Sequence, residues 1–238
     1  MDVMDNISFA PGIDAELRAR VLAAPHFRRW YEGMRARFTL RHVLVRDAVT
    51  FGTRMGFIMV EADALNGGQP VPGLALLRGD SVSVLLVLRC PGYPDRTILT
   101  REARVPIARP DLLALPAGML DGGRFVSTAL RELSEEVGAD LQVCERDLTE
   151  LTHVWLSPGG CDEAIGLYYA ELDIDESLAR SLAGRQTGLA SEHEHIRLRV
   201  IDLADVPGIG MTDAKTLLSW HMYQARRASS AFFVDTSA

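Results

Sequence analysis

The chain is predicted to fold as a layered α/β (α+β) domain, and three observations predict it. Apolar residues at helical spacing open the chain, pairs of β-branched runs follow, and one strongly patterned helix interrupts the later strands. With 238 residues, 47% of them hydrophobic, there is enough apolar material for a well-buried core.

The elements follow in order. Leu17, Val21, Leu22, Phe27, Trp30, Tyr31 and Met34 recur at helical spacing over residues 13–37, and Pro25 divides the stretch into two short helices. From Phe38 to about Ala64 the pattern becomes strand-like, with two strands meeting around Phe51-Gly52-Thr53. Asn66-Gly67-Gly68-Gln69-Pro70 is the clearest early loop signal, and a domain boundary is expected there. Ser81–Leu88 reads as a buried strand, Pro91–Asp95 as a turn, and Thr97–Val105 as a second strand. Leu112–Leu115 is short and apolar and leads into the Pro116-Ala117-Gly118 bend. Residues 125–137 form a helix with Gly138 as its stop. Strands are expected at 149–156, 164–172 and 195–202, with helices near 175–184 and from Thr212 to Arg227. The expected organisation is an N-terminal helical and β-strand segment over 1–70, a catalytic domain over 71–228, and a tail over 229–238.

Composition narrows the partners. There are 25 basic and 32 acidic residues, a formal charge of −7, and that balance argues against nucleic acid. A small phosphorylated ligand remains compatible, because a bound metal can supply positive charge. Three cysteines without a Cys-x-x-Cys pair argue against a disulfide framework or a structural zinc. The first ten residues lack a basic region followed by an apolar one, and apolar runs such as Val84–Leu88 are too short for a bilayer. A soluble cytoplasmic chain that meets no membrane is the expectation.

The chemistry concentrates in Arg131-Glu132-Leu133-Ser134-Glu135-Glu136-Val137-Gly138. On a helix, Glu132, Glu135 and Glu136 stand three and four apart, so their carboxylates can share one side. Val126, Ala129, Leu130, Leu133 and Val137 line another face suited to a core. Like charges so placed repel unless a cation joins them, and hard oxygen donors suit Mg²⁺ or Mn²⁺. Arg131 can orient a carboxylate through a forked pair. Taken alone, the three glutamates also fit a solvated acidic face.

The upstream residues change that balance. Leu115-Pro116-Ala117-Gly118-Met119-Leu120-Asp121-Gly122-Gly123 feeds a strand and a glycine-rich loop into the helix, and residues 118–139 together resemble the Nudix box. Gly118, Arg131, Glu132, Leu133, Glu135, Glu136, Gly138 and Ala139 fill its places. The interval between Gly118 and Arg131 is one residue short, and Arg124 stands about where the pattern has a glutamate. Outside the box, Arg101–Pro106, Ser157–Glu163, Gln186–Leu189, Glu192–Ile196 and Thr212–Lys215 are similar to the ADP-sugar diphosphatases.

The resemblance implies a mixed sheet sandwiched between helices. It implies Mg²⁺, with Mn²⁺ as a substitute, held at Ala117, Glu132, Glu135 and Glu136. It implies Arg104, Gly118, Ser157, Gly159 and Gly160 around the substrate, and catalytic roles for Glu136, Arg131 and Glu194 or Glu192. The implied substrate is a nucleoside diphosphate sugar, and the implied assembly a homodimer in which residues 38–64 reach the partner. Other readings stay open for single residues. Arg104 can form a surface ion pair, Trp30 can be core or stack on a base, and Cys161 has no paired histidine to activate it. His193 and His195 alternate with Glu194 as solvated loop residues or metal ligands. A Nudix-fold module that binds without turnover is the alternative function, and such modules usually lose the box glutamates that are kept here.

Overall fold

The computed structural model describes residues 5–120, 124–138, 140–188 and 195–234, with side chains through Ser229. The chain forms two compact units. Unit 1 comprises the residues up to Asp80 with Leu120 and Trp155–Ala164, and unit 2 the rest.

In unit 1, α1 (Ala15–Ala23) starts at Asp14, whose side chain accepts the Leu17 amide at 2.8 Å. Pro25 opens α2 (Pro25–Arg37), where a missing amide proton costs nothing. The strands are β1 (Ile7–Phe9), β2 (Thr39–Phe51), β3 (Arg54–Asn66), β4 (Gln69–Pro70) and β5 (Leu74–Leu77). β2 and β3 make a long antiparallel hairpin, β1 lies parallel on β2, and β5 pairs with β3. Along β3, Ile58, Val60, Ala62 and Ala64 are buried while Met59, Glu61 and Asp63 face water. The buried face meets Val21, Phe27 and Tyr31 of the helices, with Val43, Val45 and Leu77. On the wet face, Arg41 pairs with Asp63 and Arg46 with Glu61 across the strands.

The two helices divided by Pro25 and the hairpin around Gly52 are as expected from sequence. β1 was not anticipated, because three half-buried residues carry too little pattern. Asn66-Gly67-Gly68 is the β3–β4 turn inside unit 1, with Gly67 and Gly68 at φ 56° and 83°.

Unit 2 holds an eight-stranded mixed sheet. Its strands are β6 (Ser81–Arg89), β7 (Arg96–Arg104), β8 (Arg109–Ala114), β9 (Ala117–Met119), β10 (Thr149–Trp155), β11 (Ala164–Asp173), β12 (Gln186–Thr187) and β13 (Ile196–Asp202). The order is β10-β11-β6-β7-β13-β12, with β8 on β7 and β9 on β6. β6 runs parallel to β11 and antiparallel to β7 and β9. Every residue of β6 from Ser81 to Leu88 is buried, the mark of a strand covered on both faces. On one face Leu85, Val87, Leu99 and Leu115 pack with Leu203 and Val206 of the turn after β13 and with Tyr223 of the closing helix α5 (Ala214–Val234). The helix α3 (Phe125–Glu132) packs against β6 and β9, and α4 (Glu176–Leu182) against β13. This is the sandwich expected from the sequence.

Two elements differ from their sequence pattern. The closing helix runs on to Val234, through residues read as a tail. The box helix is α-helical only to Glu132 and then widens into a π-turn over Leu133–Val137. The Gly138 amide reaches the Leu133 carbonyl, five residues back, at 3.2 Å. Such wide turns cluster at functional sites. Gly138 ends the helix at φ 108°, a conformation that favours glycine.

Candidate active site

The box of unit 2 is built on β9. Pro116 enters it with its carbonyl accepting from the Val84 amide and the Ser83 hydroxyl, both at 3.1 Å. The Leu115 amide donates to Thr216 Oγ1 at 3.0 Å, and Thr216 is fully buried. Thr216 also donates to Asp213, which caps the start of α5. β9 is therefore held from both sides before any box residue is considered.

Two box carboxylates lie against consecutive residues of this strand. Glu136 is 5% exposed, and its Oε2 accepts the Ala117 amide at 3.1 Å. Burying a carboxylate is costly without such a donor. Glu132 covers Gly118, where a Cβ would fall 1.8 Å from its Cδ and 2.0 Å from its Oε1. Only glycine leaves room for that carboxylate. The requirement at Gly118 is thus close approach, not an unusual backbone angle.

Arg131 pairs with both Glu132 and Glu135, the latter at 2.6 Å. Its forked guanidinium spans two like charges on one turn. Glu136 is held separately by β9. Among the described residues, no three His, Cys, Asp or Glu side chains are gathered closely enough to hold a metal unaided. The donors still fit a hard divalent cation. They are carboxylate oxygens, Gly118 is the cradle for one of them, and the strand amide orients another. On the far side of the helix Ala129, Leu133 and Val137 are buried, as the apolar stripe required.

The other sequence candidates fall in different places. Arg124 caps α3, with its carbonyl accepting from Thr128 and Ser127, so a glutamate is not needed there to start the helix. Arg104 ends β7 and pairs with Glu102, leaving its side chain 43% exposed. Glu192, His193 and Glu194 lie outside the described residues, as do Asp121–Gly123 and Ala139. Ser157, Gly159 and Gly160 form a turn in unit 1, whose Cys161 and Gly160 amides both return to the Ser157 carbonyl. Cys161 beside them is no activated nucleophile, since burial pushes its thiol pKa up.

Sequence reasoning missed Thr216, and with it the support of the box strand from α5. The Asp213-x-x-Thr216 spacing was a visible capping signal, but its reach to Leu115 spans a hundred residues and exists only in the fold. It also missed Arg29 and Asp80, and gave Asp162 no role beyond its place in the Ser157–Glu163 run. Arg29 is held by Asp80 at 2.7 and 2.9 Å, and Asp162 accepts the Arg78 and Gly79 amides at 2.7 and 3.2 Å.

Comparison with known proteins places this geometry. The NUDIX domain matches residues 77–221, more than half of the chain. The chain is 33% identical to "Nudix hydrolase 14, chloroplastic" of Arabidopsis thaliana over 92% of its own length and 76% of that protein's. It is 31% identical to the "ADP-ribose pyrophosphatase" of Haemophilus influenzae, over 72% of this chain and 69% of that one. The solved structure of an ADP compounds hydrolase shares the fold, with a TM-score of 0.55, 18% identity and coverage of 82% of this chain and 96% of that chain. The chain belongs to the Nudix family and is a Nudix hydrolase. Enzymes of this family generally work with divalent metals. No helix among the described residues is long and apolar enough to cross a membrane.

Proposed function

We propose that the protein hydrolyses the diphosphate bond of a nucleoside diphosphate sugar, ADP-ribose or ADP-glucose, to AMP and a sugar phosphate. The observation that carries this reading is the pair of carboxylates, Glu132 and Glu136, laid against Gly118 and Ala117 of one strand. The relatives named ADP-ribose pyrophosphatase support the substrate class.

Glu132, Glu135 and Glu136, with Ala117, would hold Mg²⁺, and Mn²⁺ could replace it. The ion would neutralise the diphosphate and lower the pKa of water. Arg131 keeps Glu132 and Glu135 in place. Arg104 exchanges Glu102 for a substrate phosphate, and Ser157, Gly159 and Gly160 line the substrate. Glu194, or Glu192 two residues earlier, orients the attacking water and takes its proton. The water oxygen bonds to phosphorus as the bridging P–O bond breaks. Residues 1–70 serve a homodimer, an assignment supported by the exposed Val49, Phe51 and Met59 of the hairpin.

The test is a panel of ADP-ribose, ADP-glucose, GDP-mannose, UDP-glucose, NADH and diadenosine polyphosphates with Mg²⁺, scored for nucleoside monophosphate release. ADP-sugars should lead, and EDTA should stop turnover. A clear preference for NADH, GDP-mannose or dinucleoside polyphosphates would refute the substrate class, and full turnover after chelation would refute the metal.

A further inference from the structure

The cavity of unit 1, about 600 Å³, is lined by Arg29 and Arg37 of α2 and has Gly159 and Gly160 on its rim, so it belongs to the proposed substrate site. Unit 2 holds a separate cavity of about 300 Å³, lined by Arg101, Arg197 and Arg199 with Ala183 and Gly184. That volume is at the lower end of small-molecule sites, roughly 300–1,000 Å³. We propose that the three arginines form an anion site, apart from the box, for a condensed inorganic phosphate such as diphosphate.

The strand register brings the arginines together. Arg197 of β13 lies directly opposite Arg101 of β7, and opposite residues of an antiparallel pair share a face, with Cβ atoms roughly 4.5–5.5 Å apart. Arg199 follows two residues later on the same face, about 7 Å along the strand. Leu99, two residues before Arg101, packs in the core under α5, so the cluster is on the α5 face of the sheet. The box helix covers the other face. A Cβ on Gly166 would stand 2.6 Å from the Phe125 ring, whereas Tyr169, three residues on, packs against Tyr223 of α5. Glu102 and Arg104, paired with each other, alternate away from Arg101. The cluster is therefore no continuation of the phosphate contact proposed for Arg104.

Like charges directly opposite one another destabilise a strand pair. All three arginines are exposed, and none makes an ion pair or a side-chain hydrogen bond among the described residues. By contrast Arg89, Arg96, Arg180, Arg185 and Arg227 of the same unit each hold a carboxylate. The chain has carboxylates in excess, with a formal charge of −7, yet the described residues bring none to this cluster. A guanidinium fork binds oxyanions through two parallel hydrogen bonds. One phosphate carries roughly 1.5 to 2 negative charges near neutral pH, so two linked phosphates match three guanidiniums more closely. The edge beside them is fixed, with the Gly184 amide donating to the Leu198 carbonyl and the Leu198 amide to the Arg185 carbonyl, both at 2.9 Å. A Cβ on Gly184 would meet nothing within 4 Å, which leaves this edge open to an entering ion.

The experiment is calorimetric titration of the full chain with inorganic diphosphate, and separately with orthophosphate, in EDTA so that the box holds no metal. Diphosphate should bind more tightly than orthophosphate. Arg101→Gln and Arg197→Gln should each weaken it about tenfold or more, as expected for a lost hydrogen bond between charged groups. Arg146→Gln removes an exposed charge elsewhere in unit 2 and should keep the affinity within about twofold. Arg104→Gln should keep it as well. Without the anion, the unfolding midpoint of Arg197→Gln should equal or exceed the native one, because a like-charge pair is relieved. Diphosphate should raise the native midpoint but not that of the Arg101→Gln/Arg197→Gln double variant. No diphosphate binding by the native chain at millimolar concentration would overturn the proposal, as would unchanged affinity in both single variants. An equal loss in Arg146→Gln would reduce the effect to general charge and overturn it too. A loss in Arg104→Gln with affinity kept in Arg101→Gln would put the anion in the substrate site instead. Binding of polyglutamate without binding of diphosphate would replace the small-ion site with a docking surface for acidic protein. No turnover enters these measurements, so failure of the proposed function would leave them standing.

Discussion

The box of unit 2 and the cavity of unit 1 are assembled in opposite ways. The box draws its carboxylates from one turn of helix and sets them on a strand fewer than twenty residues upstream. The cavity collects residues from four places in the chain, 29–38, Ala62, 72–80 and 155–164, the last two joined by hydrogen bonds over more than eighty positions. Their charges are handled differently too. In the box, Arg131 holds like charges together and the Ala117 amide of β9 donates to a buried carboxylate. In the cavity, Asp80 immobilises one arginine and leaves Arg37 unpaired among the described residues. A site that must present negative charge to a cation can be written in a short motif, because helical periodicity alone clusters the ligands. A site that must enclose a ligand needs walls from separate elements.

Three substitutions sharpen this contrast, in order of expected effect. Glu136→Gln keeps the volume and an acceptor for the Ala117 amide but removes the charge. Metal-dependent turnover should fall roughly a hundredfold or more, with the unfolding midpoint nearly unchanged. Near-native turnover in a metal-dependent assay would take Glu136 out of the chemistry. Gly118→Ala places a methyl group where the Glu132 carboxylate now lies, so the side chain must move. A displacement of that size should lower kcat about 10- to 100-fold, with a stability loss of about 1–3 kcal/mol from overpacking. If activity survives while stability falls, the approach of Glu132 to Gly118 is packing only. Thr216→Val leaves the buried Leu115 amide without its acceptor and should cost about 1–3 kcal/mol of stability. Turnover per folded molecule should change least of the three, since Thr216 holds the Leu115 amide and touches no box carboxylate. A kcat loss as large as that of Gly118→Ala would show that β9 moves when α5 lets go.

How much of this was legible in the sequence depends on the range of the interaction. The Pro25 break, the Gly52 hairpin and the apolar stripe Ala129–Leu133–Val137 are local patterns, and the structure has them where the pattern put them. β6 was readable as buried, because a continuous apolar run fits a strand covered on both faces. β1 was not readable, since three half-buried residues give no period. The π-turn over Leu133–Val137 was also invisible, because its residues satisfy the α-helical spacing equally well. The loop residues Glu192 and Glu194 rest on the family likeness and on the kinetics still to be measured.

The sequence by itself determined the class of protein, a Nudix hydrolase. Gly118 and the Arg131–Gly138 run are close in the chain, so their spacing carries the three box glutamates whatever surrounds them. Only the tertiary structure decided which carboxylate is buried, which glycine yields to a side chain, and which arginine stays unpaired among the described residues. Those outcomes depend on contacts between residues far apart: Thr216 with Leu115, Asp162 with the Arg78 and Gly79 amides, Asp80 with Arg29. Hydrogen bonds act over about 3 Å in space without regard to distance along the chain. A periodicity reads only neighbours a few residues apart, and for that reason the box was visible from the start and the cavity was not.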